Sequence, residues 1–273
     1  MDNLKETTSK AAAYIRTKVD LVPQIGIILG TGLGSLGDGI ELTATVEYGD
    51  IPNFPISTVE SHQGRLLFGH LHGKPVVAMQ GRFHYYEGYT MKQVTFPVRV
   101  MKELGIETLI VSNAAGGLNP LFDRGDIMII TDHINFQGAN PLIGPNDESI
   151  GDRFPDMYNC YDKDLRLMAE KTALDMKIPV KKGVYVSVTG PNLETAAEYR
   201  MFRTLGADVV GMSTVPEVIA ARHQKTKVLA FSIVTDMGLP DALGPCSLDE
   251  IIATANKAEP KLRDLISACV ANM

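Results

Sequence analysis

The sequence predicts an α/β fold, a single domain over residues 1–273 with a twisted, mixed and mostly parallel β-sheet flanked by helices. Three observations carry that prediction. Through the C-terminal half, β-branched apolar runs alternate with amphipathic helical stretches, the pattern of parallel strands covered on both faces. Several of the apolar runs stop at a Gly or in a group of small and polar residues, as strands do at the edge of a sheet. No repeat, low-complexity tract or linker composition divides the 273 residues, a length that buries a sizeable core.

The opening stretch MDNLKETTSKAAAYIRTKV is mixed in charge and helical in pattern. QIGIILG, residues 24–30, reads as a buried strand ending in a Gly cluster, and another strand pattern begins near residue 42. RLLFGHL (65–71) and KPVVAMQ (74–80) flank the turn His72-Gly73 as a hairpin. One amphipathic helix is expected across MKQVTFPVRVMKELG, closed by Gly105, and ETLIVSNAAGG then runs as a strand into small residues. Further strands are DIMIITDHINF, KKGVYVSVTG, ADVVG and KVLAFSIVTD. The helices between them are DKDLRLMAEKTALDMK, ETAAEYRMFRTLG and VPEVIAARHQ, and a terminal helix starts near Ser247. Residues 135–159, rich in Pro and Gly, are too long for a mere connection and read as a binding or interface loop.

Composition narrows the partners. Hydrophobic residues at 45% and charged residues at 21% are ordinary globular values, and a net charge of −6 without a Lys or Arg run argues against nucleic acid. No window approaches the roughly 18 apolar residues of a membrane span, and the first residues lack an apolar signal-peptide core, so a cytoplasmic location is expected. Cys160, Cys246 and Cys269 are odd in number and far apart, which fits neither a disulfide framework nor a zinc site. His70-x-His72 has no third ligand nearby and reads as structural.

Polar groups gather at the ends of the predicted strands. In MQGRFHYYEGYT (79–90), an extended continuation past Gly81 turns Arg82 and His84 to one side and Phe83 to the other, with Tyr85, Tyr86 and Tyr89 close by. A solvated loop pair is the bland alternative. GTGLGSLG (30–37) has the glycine spacing of a dinucleotide fingerprint, but the strand pattern near residue 42 leaves no room for the helix that fingerprint needs. What it retains is an anion nest with a hydroxyl at Thr31. His62 lies in a polar turn before a strand. VSNAAGGLNP ends a strand in small residues, either for close ligand approach or for a tight turn at Gly116 and Gly117. Glu194 opens a helix, where the dipole makes capping a serious rival, and Ser213 precedes another, where an N-cap by Ser213 or Thr214 would explain it equally well. Asp236 is the charge that ends an uncharged strand. Together, Thr31, His62, Arg82, His84 and Ser213 suit a phosphate-sized anion, and Glu194 with Asp236 suits a heterocycle bearing N–H groups. Ser213 stands in Gly-Met-Ser-Thr-Val, which is no nucleophile elbow.

In chain order, GTGLGSLG, STVESHQGRLLFG, MQGRFHYYEGY, SNAAGGLNP, GPNLETAAEYR and GADVVGMSTVPEVIAARH resemble the trimeric purine nucleoside phosphorylases, over about residues 20–240. The resemblance implies a nucleoside phosphorylase-like α/β domain. It implies phosphorolysis of purine (deoxy)ribonucleosides to free base and (deoxy)ribose 1-phosphate, with inorganic phosphate as co-substrate and neither metal nor organic cofactor. By the same resemblance Thr31, His62, Arg82, His84, the backbone at Ala114 and Ser213 hold phosphate. Tyr86 and Met212 border the ribose, Leu193, Glu194 and Asp236 take the purine, and Phe154 reaches a neighbouring subunit's site in a homotrimer. His84, Glu194 and Asp236 are the expected catalytic residues, with Glu87 orienting His84.

Two positions depart from the family pattern, Asp236 where Asn is typical and Leu248 where a His is frequent. An ionised Asp236 accepts from a 6-amino group, and an apolar Leu248 tolerates a 5′-methylthio group. A methylthioadenosine phosphorylase is therefore the alternative on the same fold. Alternatives of other classes are an NAD-dependent dehydrogenase and a non-catalytic nucleoside-binding protein.

Overall fold

The computed structural model describes residues 4–30, 37, 39–56 and 63–273. The elements, in order, are α1 (Leu4–Arg16), β1 (Ile25–Leu29), β2 (Glu41–Glu47), β3 (Arg65–Leu71), β4 (Lys74–Gln80), α2 (Met91–Val94) and α3 (Phe96–Leu104). There follow β5 (Thr108–Gly117), β6 (Ile127–Asn135), α4 (Lys163–Asp175), β7 (Val180–Ser187), α5 (Ala196–Thr204), β8 (Val209–Gly211), α6 (Val215–His223), β9 (Lys227–Met237) and α7 (Leu248–Asn272).

Among the described residues nine strands form one sheet in the order β2-β3-β4-β1-β5-β8-β7-β6-β9, and β9 also pairs with β5. That extra pairing closes β5, β8, β7, β6 and β9 into a ring, from which β1, β4, β3 and β2 extend as an open wing. Five of the nine pairings among the described residues are parallel, so the sheet is mixed as expected. β1, β5 and β9 are buried along nearly their whole length, which is why their sequences read as continuous apolar runs. The hairpin between β3 and β4 turns at His72 and Gly73, both with positive φ, the geometry that matches strand twist in a two-residue turn. His72 then reaches Ser267 of α7 at 2.8 Å, a structural use of that histidine.

One element departs from expectation. The single helix predicted for 91–105 breaks at Thr95 into α2 and α3, because Pro97 has no N–H to donate and its ring excludes the carbonyl four residues back. Thr90 and Gln93 form a capping box on the first piece. The predicted terminal helix begins at Leu248, with Ser247 accepting from the Glu250 amide. Between Asn135 and Lys163 there is no helix or strand, so the predicted loop is a loop.

Candidate active site

Parallel strands share a carboxyl edge, and the sheet places its polar groups there. β4 ends at Gln80, Gly81 turns with φ 115°, and the chain continues extended through Arg82, Phe83 and His84. Phe83 drops into the core against Tyr48 and Phe54, while Arg82 and His84 face a cleft of about 320 Å³. The predicted alternation therefore holds, and with Arg82 only 1% exposed the solvated-pair reading is excluded. β8 runs antiparallel to β5, with Val210 opposite Gly116, so its outgoing chain brings Met212 and Ser213 to the same cleft as Ala114. β9 supplies Asp236, the loop after β7 supplies Leu193 and Glu194, and Tyr86 lies on the near wall.

Arg82 is held on three sides. Its Nη1 donates to the Ser112 carbonyl at 2.9 Å and to Ser213 Oγ at 3.0 Å, and its Nη2 meets Glu217 Oε2 at 2.9 Å. Glu217 Oε2 belongs to α6, whose other residues from Val215 to Ala221 are buried and apolar or small. The His84 amide donates to Glu87 Oε1 at 2.7 Å, and its Nδ1 lies 3.0 Å from the same oxygen. Since a carboxylate only accepts, Nδ1 carries the proton of that contact and Nε2 is the nitrogen not engaged by Glu87. The Tyr86 ring stacks on the imidazole at 4.7 Å between centroids.

Ser213 is not a helix cap. The cap position is Thr214, which makes no capping bond and has φ 70° and ψ −55°, with the Val215 amide bonded to the Ser213 carbonyl at 2.7 Å. A β-branched residue in that conformation is strained by about 1–3 kcal/mol. Asn113 Nδ2 secures it by donating to Thr214 Oγ1 at 2.9 Å. This strained turn aims the Ser213 hydroxyl at Arg82 instead of along the helix.

Glu194 is not a cap either. Thr195 and Glu198 form the capping box of α5, which leaves Glu194 one residue outside the helix and in the cleft. Burial raises its carboxyl above the ordinary range, against hydrogen bonds from its own amide and the Tyr199 hydroxyl, and the charge of Asp236 raises it further. Burial likewise raises Asp236, opposed by the Thr235 hydroxyl, 2.9 Å from Oδ1, and by the charge of Arg124. Gly116 and Gly117 lie within β5 without positive φ, so the tight-turn alternative fails. A Cβ on Gly116 would stand 3.2 Å from Asp236 Oδ2, and the bare backbone makes room for that carboxylate.

Nine of the predicted site residues thus share one cleft: Arg82, His84, Tyr86, Ala114, Leu193, Glu194, Met212, Ser213 and Asp236. Thr31 and His62 lie outside the described residues. Phe154 does not line the cleft of its own chain and stands 88% exposed on the 135–159 loop. The sequence reading missed Glu217, Asn113, Tyr199 and Thr235. Of these only Glu217 stood out in the sequence, an acid among apolar residues in the first turn of a helix, but nothing local named Arg82 as its partner. Leu248 and Ile251 of α7 add an apolar lip.

The phosphorylase superfamily model matches residues 24–271. The chain is 55% identical to purine nucleoside phosphorylase 1 of Bacillus subtilis over 98% of its length and 99% of the relative's. It is 48% identical to the purine nucleoside phosphorylase of Bos taurus, over 98% of this chain and 95% of that one. Among solved structures, a Schistosoma purine nucleoside phosphorylase in complex with hypoxanthine superposes with a TM-score of 0.94 at 44% identity, covering 98% of both chains. The Schistosoma mansoni enzyme in complex with adenosine matches with the same score at 43% identity.

Proposed function

The chain belongs to the phosphorylase superfamily and, within it, to the purine nucleoside phosphorylases, and on that premise we propose how its cleft divides the labour of phosphorolysis. The observation that carries the reading is the placement of two kinds of group in one cleft. Donors at Arg82, His84 and Ser213 line it together with the carboxyls of Glu194 and Asp236. Phosphate sits with the donors, helped by the Ala114 backbone and by Thr31 and His62. The purine sits between Leu193, Glu194 and Asp236, and the ribose lies along Tyr86 and Met212.

A phosphate oxygen bonds to C1′ as the bond from C1′ to N9 breaks, and the electron pair of that bond leaves on the purine. The sugar is oxocarbenium-like at the transition state, so the anion beneath it is both nucleophile and counter-charge. Proton donation to the departing base from a protonated Asp236, or hydrogen bonds from that edge, stabilises the charge left on the ring. Inorganic phosphate is the co-substrate, and this chemistry calls on no cofactor.

A homotrimer with shared sites and a cytoplasmic location belong to the same proposal. Phe154 is a large apolar side chain held out on the long loop, as a residue that completes a neighbour's site would be. Cys160, Cys246 and Cys269 are free thiols, and no helix among the described residues is long and apolar enough to cross a membrane.

The apolar lip of Leu248 and Ile251 favours a second reading on the same fold, a 5′-methylthio nucleoside with a 6-amino base held by ionised Asp236. Assaying inosine, guanosine, adenosine and methylthioadenosine with and without phosphate separates the two. Activity on inosine and guanosine that needs phosphate is expected. Turnover confined to methylthioadenosine would replace the first reading with the second.

A further inference from the structure

We propose a second oxyanion site, centred on Arg99 and separate from the cleft at the strand ends. Arg99 is carried on α3, is 3% exposed, and has its guanidinium pushed down to about 10 by burial. Its Nη1 lies 3.2 Å from His223 Nδ1. A guanidinium only donates, so His223 accepts at Nδ1 and is neutral, in keeping with the lowering of its pKa by burial and by the charge of Arg99. Among the described residues no carboxylate forms an ion pair with Arg99. A buried guanidinium without a counter-charge is costly, and the fold keeps this one beside open space.

That space is built from four parts of the chain. A cleft of about 390 Å³ lies against Arg99, walled by Lys5 of α1, Lys102 and Glu103 of α3, Ser149 of the long loop and Gln224 after α6. A smaller one of about 200 Å³ lies on another side of Arg99 and adds Lys92, Asn146 and Asp147. Four cations therefore face two carboxylates. Lys102 spends its ammonium on a neutral partner, the Ile106 carbonyl at 3.2 Å, and Lys5 on Ser149 Oγ at 2.9 Å. Asp147 accepts from the Ser149 amide and hydroxyl and is lowered chiefly by those bonds, with a smaller contribution from Lys5. Glu103 accepts from Ser9 at 3.3 Å. The surplus is positive and its centre is the buried fork of Arg99.

A guanidinium flanked by ammonium groups suits a tetrahedral oxyanion, a phosphate or sulfate group either free or carried on a small ester. Such an anion would brace α1, α3 and the 135–159 loop against one another, the loop that also carries Phe154.

Isothermal titration of the full chain with sodium sulfate tests the site. Arg99→Gln is expected to bind one sulfate fewer per subunit than the wild type, or to bind it at least about tenfold more weakly, the loss of a charge-assisted bond. Equal stoichiometry and affinity in the two proteins would overturn the proposal. The difference is read between variants, so it stands whether or not Arg82 holds phosphate. Should Arg99→Gln fail to fold, the double variant Lys5→Ala/Lys102→Ala, altered at an exposed and a half-buried position, is expected to weaken the same binding event. No change there counts against the site. Repeating the titration with inorganic phosphate and with glycerol phosphate distinguishes a free anion from an ester.

Discussion

Glu217 Oε2 lies 2.9 Å from Arg82 Nη2, and the two side chains are 3% and 1% exposed. The contact joins the residue after β4 to the first turn of α6 across 135 positions of sequence. It fixes the guanidinium from behind while Nη1 holds Ser112 and Ser213. The end of the cleft where we place phosphate is therefore a braced fork whose charge is already balanced, and the proposed anion would be held by directed N–H groups more than by net charge.

Glu217→Ala is expected to destabilise the protein by about 3–5 kcal/mol, because it strands a buried guanidinium. Glu217→Gln keeps an oxygen that accepts from Nη2 and should cost less. Urea unfolding of the three proteins measures both, and two variants of wild-type stability would show that the pair contributes nothing.

Arg82→Ala is expected to raise the phosphate KM by roughly 10- to 100-fold, the equivalent of one or two charge-assisted bonds, with little change in the nucleoside KM. It also leaves the Glu217 carboxylate buried and unpaired beside the phosphate position. Arg82→Ala/Glu217→Ala should therefore be more stable than Arg82→Ala while remaining impaired for phosphate. A phosphate KM that stays at the wild-type value with activity retained takes Arg82 out of the site.

What the sequence revealed and what it hid divide along a physical line. Residues that end strands were legible, because Arg82, His84, Asp236 and the small residues from Ala114 to Gly117 interrupt apolar patterns at the edge where a parallel sheet binds ligands. Long-range pairings were not. The register of β9 on both β5 and β6, which closes the ring, leaves no local signature, and neither does the approach of Glu217 to Arg82. Glu217 in the first turn of α6 is satisfied on paper by the helix dipole alone. The break at Thr95 differs in kind, since Pro97 announced it and the amphipathic period outweighed that local signal. At Ser213 and Glu194 the choice between cap and site turned on single dihedrals and on the capping box of Thr195 with Glu198.

Phe154 offers a test of assembly. If its exposed ring completes a neighbour's site, Phe154→Ala and His84→Ala subunits are each impaired as homo-oligomers, but mixing them creates some sites with both residues intact. Co-expression of the two variants should then recover part of the activity. No recovery in mixed oligomers whose composition has been verified by native mass spectrometry would place Phe154 outside any shared site.

Asp236 links stability, pH and base choice. Burial raises its carboxyl above the ordinary value, so in the interval between its unfolded and folded pKa the folded state binds the extra proton. Stability contributed by such a group is full below the unfolded value and is lost as pH rises through the interval. Asp236→Asn removes the penalty and is expected to raise the Tm at neutral pH, with the gain fading as pH falls below about 4, where both states are protonated. The same proton decides chemistry. Protonated Asp236 donates to purine N7 as the base leaves, whereas the carboxylate only accepts and so favours a 6-amino group. An Asn side chain supplies a donor at every pH. Wild-type kcat/KM for inosine should accordingly decline as pH rises through the raised pKa, and Asp236→Asn should lack that limb while sparing inosine and guanosine and depressing adenosine. An Asp236→Asn enzyme that loses inosine cleavage and keeps adenosine cleavage would mean that the carboxylate, and not its protonated form, is the working state of this residue.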